Sequence, residues 1–271
     1  MPVGPTFINQ KMTTLPSVSV IIPCYNEEKN LKRGVLTDVF QYLSRQPYNW
    51  EVIIANDEST DQSRTFSEHF VKSHRNFSLI NLSHGGKPSA VFGGIKAAKN
   101  DLVLFTDMDQ STPIEELDKL LPYFTKGYDV VIGSRGLIRS GNTLLRRLGG
   151  PIFLFFRRLV LLPNIVDTQC GFKMFRRHVA LKLFPNLQFF KDTSKKEGWR
   201  VSAFDVELLF MAQKWGYKIK EVLVSWQNTD QSDTKGASVN ERYKKESVQM
   251  IQEIIRVKRN DIAGLYDLQN K

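Results

Sequence analysis

No stretch of this sequence approaches the roughly 20 apolar residues that a membrane-spanning helix needs. The longest candidate, 144–166, is interrupted by Arg146, Arg147, Arg157, Arg158 and two prolines. Residues 1–16 hold prolines, a glycine and threonines but no apolar core, which reads as a flexible N-terminal segment and not as a signal peptide or anchor. Cysteine is scarce: Cys24 and Cys170 are far apart, with neither a disulfide framework nor metal-type spacing. A reducing compartment is the default for that usage. No Gly-x-Gly-x-x-Gly follows the first strand and no Gly-Lys-Ser/Thr is present, so dinucleotide oxidoreductases and P-loop enzymes lose support. Finger, homeodomain and RNA-reading signatures are missing too, which argues against nucleic acid as a partner.

What is abundant is positive charge. Lys and Arg number 38 against 28 acids, a formal net charge of +10. Such a balance favours phosphorylated substrates or an anionic membrane surface. With 41% hydrophobic residues, the 271-residue chain has ample material for a substantial core.

The chain alternates strand and helix patterns. Strands are expected at 17–23, 50–55, 77–82, 101–109, 129–135 and 220–226, with the stretch 167–175 a polar loop passing into a short strand. Helices are expected at 28–44 with Asn26 as its cap, at 62–73, at 89–99, after a Thr112 cap with Pro113 in the first turn, at 144–162, 179–183 and 204–215. The small residues Ala90, Gly93, Gly94, Ala97 and Ala98 suit the 89–99 helix to close packing on a sheet. Residues 189–200 and 227–239 read as mobile loops. A basic amphipathic helix is expected at 241–258, with Val248, Ile251, Ile254 and Ile255 on one face. Alternating units imply a doubly wound, mainly parallel sheet. The chain divides into the flexible segment 1–16, a main domain 17–240, and a C-terminal helix and tail 241–271.

In such sheets ligands bind beyond the carboxyl ends of the strands. Polar clusters stand at four of those ends: Pro23–Glu27, Asn56–Asp61, Asp107–Asp109 and Ser134–Arg135. The buried-strand run Leu102–Phe105 leads into Asp107-Met108-Asp109, whose alternate carboxylates share one side of an extended chain. Two such acids repel each other unless a cation lies between them, and Mg²⁺ or Mn²⁺ prefers carboxylate and phosphate oxygens. The bland reading is a solvated strand-to-loop exit. His69 and His84 read as surface residues, Cys24 and Cys170 lack a paired base for nucleophilic work, and Asp205 and Glu207 read as capping or solvating a helix.

Three motifs in order, Ser19-Val20-Ile21-Ile22-Pro23-Cys24-Tyr25-Asn26-Glu27, Asn56-Asp57-Glu58-Ser59-Thr60-Asp61 and Asp107-Met108-Asp109, resemble the successive signatures of family 2 glycosyltransferases with the GT-A fold. The stretches Phe105–Pro113, Asp167–Lys173 and Phe204–Glu207 are similar to the branch that glucosylates dolichyl phosphate, relatives of the dolichol-phosphate mannose synthases. The resemblance spans about Val18 to Trp226. It implies a Rossmann-like GT-A sheet sandwiched by helices, a nucleotide-sugar donor, a polyprenyl-phosphate acceptor and peripheral attachment at the cytoplasmic face of a membrane.

By that resemblance Pro23, Tyr25, Glu27, Asp57 and Asp107 belong to the nucleotide-sugar pocket, with Asp57 accepting a hydrogen bond from the base. Met108, where the family often has a small residue, lies with them between the acids, and Lys87 in the Gly85-Gly86-Lys87 turn reads either as a phosphate contact of that pocket or as an exposed turn lysine. Asp107 and Asp109 would hold Mg²⁺ or Mn²⁺ on the diphosphate. Asp109, Arg135 and Asp167 carry the catalytic roles, and Gln169, Gly171 and Lys173 border the acceptor. The mannose synthases place a metal-binding glutamine two residues after the second acid; this chain has Ser111 there and Gln110 one position early. Lys235 or Arg242 would replace a phosphate-contacting lysine that relatives carry near Ser238. The 144–162 helix reads either as core with snorkelling arginines or as a membrane-interface element. Two alternatives stay open: transfer to a saccharide hydroxyl in a cell-surface polymer, with Asp167 or Asp205 as base, and a non-catalytic nucleotide- or polyanion-binding protein.

Overall fold

The computed structural model describes residues 16–136, 161–191, 204–231 and 239–267. The expected helix at 144–162 lies almost wholly outside them, as do 192–200, Lys235 and the Arg242 side chain.

Seven strands form one sheet: β1 (Val18–Cys24), β2 (Trp50–Asp57), β3 (Phe77–Leu82), β4 (Leu102–Phe105), β5 (Val130–Ser134), β6 (Lys173–Arg176) and β7 (Ile219–Leu223), in the order β3-β2-β1-β4-β6-β5-β7. Val, Ile and Leu fill the central strands because both faces are covered, so polar alternation has no place there. All neighbours are parallel except β6, which runs antiparallel to both β4 and β5. That reversal has a functional consequence. Phe105 pairs with Lys173, so β6 starts where β4 ends, and the loop before it arrives at the same edge as the polar loops after β1, β2, β4 and β5.

Helices α1 (Glu28–Lys32), α2 (Val35–Leu43), α3 (Ser63–Ser73), α4 (Lys87–Ala97), α5 (Leu117–Thr125), α6 (Arg177–Leu183), α7 (Gln188–Lys191), α8 (Phe204–Lys214) and α9 (Val239–Ile262), with 3₁₀ turns at Ile114–Glu116 and Phe184–Asn186, complete the described elements. Strand alternation divides the core: Val20, Ile22 and Leu104 face the layer with Val39 and Leu120. Ile21, Val103 and Phe105 face that with Ile95, Leu209 and Val257. The small residues of α4 do what their size suggests. A Cβ on Gly94 would stand 2.4 Å from Ile21 Cγ2, and one on Gly93 2.6 Å from Leu82 Cδ1.

Several local expectations are corrected. The helix expected at 28–44 breaks at Gly34, whose φ of 90° is left-handed. Asn26 does not cap it: at φ 55° its Oδ1 instead accepts the Thr60 N–H at 2.9 Å, joining the loops after β1 and β2. Thr112 makes no cap either; a 3₁₀ turn, Ile114–Glu116, precedes α5, and the Thr112 hydroxyl lies 3.7 Å from Cys170 Sγ. Part of the loop expected at 189–200 is helical in α7. On α9 the expected apolar face divides, because Ile254 is buried against the body while Val248, Ile251 and Ile255 are exposed.

Candidate functional site

The polar loops line up along the carboxyl edge of the sheet, and their order follows the strand order. At the β1–β2 end, Tyr25 stacks on His84 with ring centroids 4.6 Å apart. His84 Nδ1 stands 3.0 Å from Asp57 Oδ2, so a histidine expected as mere surface is part of the site. Asp57 also shapes this end of the site. It is 2% exposed, and its two oxygens accept the Gly85 and Gly86 N–H groups at 2.9 and 2.8 Å. Its carboxylate is turned into the loop leading to α4, where it fixes the backbone. Glu27 is likewise turned inward: its carboxylate accepts Asn30 Nδ2 at 2.6 Å, while its N–H donates to Ser63 Oγ at 2.7 Å. Pro23, half-buried, closes β1 beside these loops.

Next along the edge, after β4, lies the acidic pair. Asp107 and Asp109 are partly exposed, whereas Met108 between them is 2% exposed and packs into the core, so it offers a ligand only its backbone. Lys87, in the first turn of α4, places its ammonium on Asp107 Oδ1. Desolvation works against that charge, but the attraction of Asp107, Asp205 and Asp109 outweighs it and holds the pKa above the usual lysine value. A cation therefore already rests on this carboxylate. Gly171 explains how Asp107 fits: a Cβ at 171 would come within 1.9 Å of Asp107 Oδ2. Gly171, expected to border the acceptor, is the cradle of the first acid.

The turn carrying the second acid is held by donors from distant elements. The Asp109 carbonyl accepts Arg33 Nη2 at 2.5 Å and Thr229 Oγ1 at 2.7 Å, and Asp109 Oδ1 accepts the Ser111 N–H at 2.8 Å. The Gln227 N–H donates to the Ser111 carbonyl at 2.8 Å, and Asn30 Oδ1 accepts the Gln231 N–H at 3.2 Å. Residues 227–231, expected to be mobile, are thus fastened across the site. Gln110 sits at φ 49° and donates Nε2 to the Asp107 carbonyl at 2.9 Å. Its Oε1 is buried and has no hydrogen-bond partner among the described residues.

At the β5–β7 end, Asp167 takes Arg135 Nε at 2.7 Å and Nη2 at 2.8 Å, a bidentate pair, together with the backbone N–H groups of Arg135 and Gln169 at 3.0 and 3.1 Å. Burial disfavours the Arg135 charge, but Asp167 more than offsets it and raises the pKa. Glu221 on β7 accepts the N–H groups of Val166 and Asp167 at 2.7 and 2.6 Å, which sets the turn presenting Asp167. Gln169 is half-buried beside it.

Lys173 does not face an acceptor. It is 0% exposed, donates to the Cys170 carbonyl at 2.5 Å, and pairs with Asp205 at 2.8 Å. Asp205 and Glu207, expected to be solvated, are both buried; Glu207 accepts Arg256 at 2.7 Å and Tyr266 Oη at 2.8 Å. Because Asp205 compensates an enclosed ammonium, Asp205→Ala is expected to destabilise the fold by about 3–5 kcal/mol. Replacing both partners with apolar residues, Lys173→Met with Asp205→Leu, should cost far less; urea titration of the two variants checks the contrast. Neither cysteine is reactive: burial pushes the Cys24 thiol up to about 12 and raises Cys170 as well.

Residues 19–184 match the model of a known family, described as glycosyl transferase family 2. The chain belongs to glycosyl transferase family 2. The protein is therefore a glycosyltransferase, and its relatives agree. A dolichyl-phosphate beta-glucosyltransferase of Dictyostelium discoideum is 29% identical over 93% of this chain and 77% of its own length. That of Saccharomyces cerevisiae is 30% identical over 92% and 76%, and that of Homo sapiens 30% over 81% and 73%.

Among solved structures the fold matches a mannosyltransferase of Pyrobaculum calidifontis in complex with GDP-Man and Mn²⁺, at TM-score 0.59 and 17% identity over 90% of this chain and 65% of that one. It also matches glucosyl-3-phosphoglycerate synthase of Mycobacterium tuberculosis with Mn²⁺, UDP-glucose and phosphoglyceric acid, at TM-score 0.60 and 17% identity over 90% and 80%. The GT-A architecture expected from the sequence is the one observed.

Sequence reasoning missed His84, Arg33, Thr229 and Glu221 as parts of the site. For His84 a signal existed in its place just before Gly85-Gly86-Lys87. For the other three there was none, because each acts through a contact between segments remote in sequence.

Proposed function

We propose that this glycosyltransferase transfers glucose from UDP-glucose to dolichyl phosphate or another polyprenyl phosphate, with a divalent ion on the leaving diphosphate. One observation carries the reading. The Asp107–Lys87 ion pair and neighbouring Asp109 lie between the Tyr25–His84 end and the Arg135–Asp167 end of one line of loops. Neighbouring strands are about 4.8 Å apart, so β2 and β5 each lie about 10 Å from β4. That spacing suits a nucleoside on one side of the diphosphate and an acceptor on the other. The names of the relatives supply the donor-sugar and acceptor classes.

The residues present fit a hard divalent ion. Asp107 and Asp109 offer carboxylate oxygens, the Gly171 cradle fixes one of them, and the unpartnered Gln110 Oε1 is a third oxygen nearby. When bound, such an ion supplies Lewis-acid charge to the diphosphate oxygens. Lys87 adds a second positive charge where negative charge grows as the diphosphate leaves. Arg135 orients the acceptor phosphate. A phosphate is ionised near neutral pH and needs little help from a base, which suits Asp167, whose oxygens are already engaged by Arg135 and Gln169. A single displacement inverts the anomeric centre and gives a β-linked product.

Among the described residues no helix is long and apolar enough to cross a membrane. We place the enzyme at the cytoplasmic face of the membrane holding its acceptor, attracted there by its net charge of +10. Incubation with UDP-glucose, Mn²⁺ and a polyprenyl phosphate should yield a hexosyl-phosphate lipid seen by mass spectrometry. Failure with every nucleotide-sugar and every lipid phosphate would overturn the proposal.

A further inference from the structure

Beside Arg135 the structure leaves two large apolar side chains in the open: Leu223, 68% exposed, and Trp226, 40% exposed. Leu223 ends the edge strand β7 opposite Ser134, and its Cδ1 lies 3.1 Å from where a Cβ on Gly136 would stand. The Trp226 ring centroid is 5.6 Å from the Arg135 guanidinium carbon. Gln227, next in sequence, is tied by its N–H to the Ser111 carbonyl at 2.8 Å, so the indole belongs to the acidic turn and not to a free tail.

A charged fork adjoining an apolar shelf is the recognition chemistry of an amphiphile with an anionic head. The fork alone would grip a small anion weakly, since Asp167 already balances much of its charge through two contacts. A guanidinium has five N–H donors, so further donors are left for a phosphate oxygen. Leu223, on β7, is also too far off to serve the nucleoside: β1 and β7 are four strand positions apart, about 19 Å, and Tyr25 and His84 stack at the other end.

We infer that Trp226 and Leu223 form the bed for the first isoprene units of the acceptor, with its phosphate held at Arg135. This inference rests on the lipid-phosphate reading above and names the subsite that selects the lipid.

The test compares the full chain with a Trp226→Ala/Leu223→Ser variant, titrating inorganic phosphate, dimethylallyl phosphate and farnesyl phosphate in the presence of UDP and Mn²⁺. Wild type should bind farnesyl phosphate at least about tenfold more tightly than dimethylallyl phosphate, each added isoprene unit burying apolar surface. The variant should bring that ratio close to one while the KM for UDP-glucose stays put. An undiminished ratio in the variant overturns the inference, as does wild-type affinity for inorganic phosphate equal to that for farnesyl phosphate. Chain-length-dependent binding without glucosyl transfer to any lipid phosphate would sink the proposed function and leave the bed standing. Intact transfer with no chain-length dependence would sink the bed alone.

Discussion

Gly171→Ala is expected to lower kcat/KM about 100-fold, the loss that follows a misplacement of about 1 Å at a reacting centre. The added methyl would stand 1.9 Å from Asp107 Oδ2 and 2.6 Å from its Cγ, distances no side chain tolerates. Gly171 is not among the glycines of positive φ, so alanine adds no backbone strain there. The carboxylate is the end of a partly exposed side chain, so it swings away and the chain stays folded. A Tm near that of wild type together with lost Mn²⁺-dependent UDP binding, read by thermal shift, would locate the damage in the site. Wild-type turnover in this variant would show that the position of Asp107 does not matter.

Much of the fold was legible because its strands are short apolar runs bounded by turn residues. Val18–Cys24 and Leu102–Phe105 could hardly be read otherwise. The acidic pair was legible for the same reason, since a polar exit from such a strand stands out. What the chain order hid were long-range partners. Thr229 reaches Asp109 across 120 residues and Glu221 reaches Asp167 across 54, and neither spacing leaves a local pattern. The burial of Lys173 was hidden by its charge: an ammonium reads as exposed until Asp205, 32 positions onward, is known to lie beneath it. The place of Asp57 in a motif suggested a ligand contact; its hold on the Gly85 and Gly86 amides could not be read from that motif.

The site depends on a network whose members do not touch the reacting atoms. Arg33, at the end of α1, and Thr229, beyond β7, both donate to the Asp109 carbonyl. The left-handed Gln110 next to it is the kind of backbone position that persists only when its surroundings over-determine it. These donors supply that constraint, and they explain why a polar segment with no hydrophobic period, 227–231, is ordered.

Converting both acids, Asp107→Asn with Asp109→Asn, is expected to reduce glucosyl transfer by at least about 1000-fold, because the charge that develops on the departing diphosphate loses its counter-ion. Stability should move little. The Lys87 contact lies at the surface, with side chains 39% and 38% exposed, and an exposed pair contributes about 0–1 kcal/mol. Removing two neighbouring negative charges also relieves their mutual repulsion, so the metal-free variant should melt no lower than wild type by more than about 1 kcal/mol of stability. That combination, a large loss of function with stability held or improved, is the mark of residues kept for binding and not for folding. If UDP-glucose still binds the variant with unchanged dependence on Mn²⁺, the acidic pair is a solvated strand exit after all, and the catalytic reading of the whole edge fails with it.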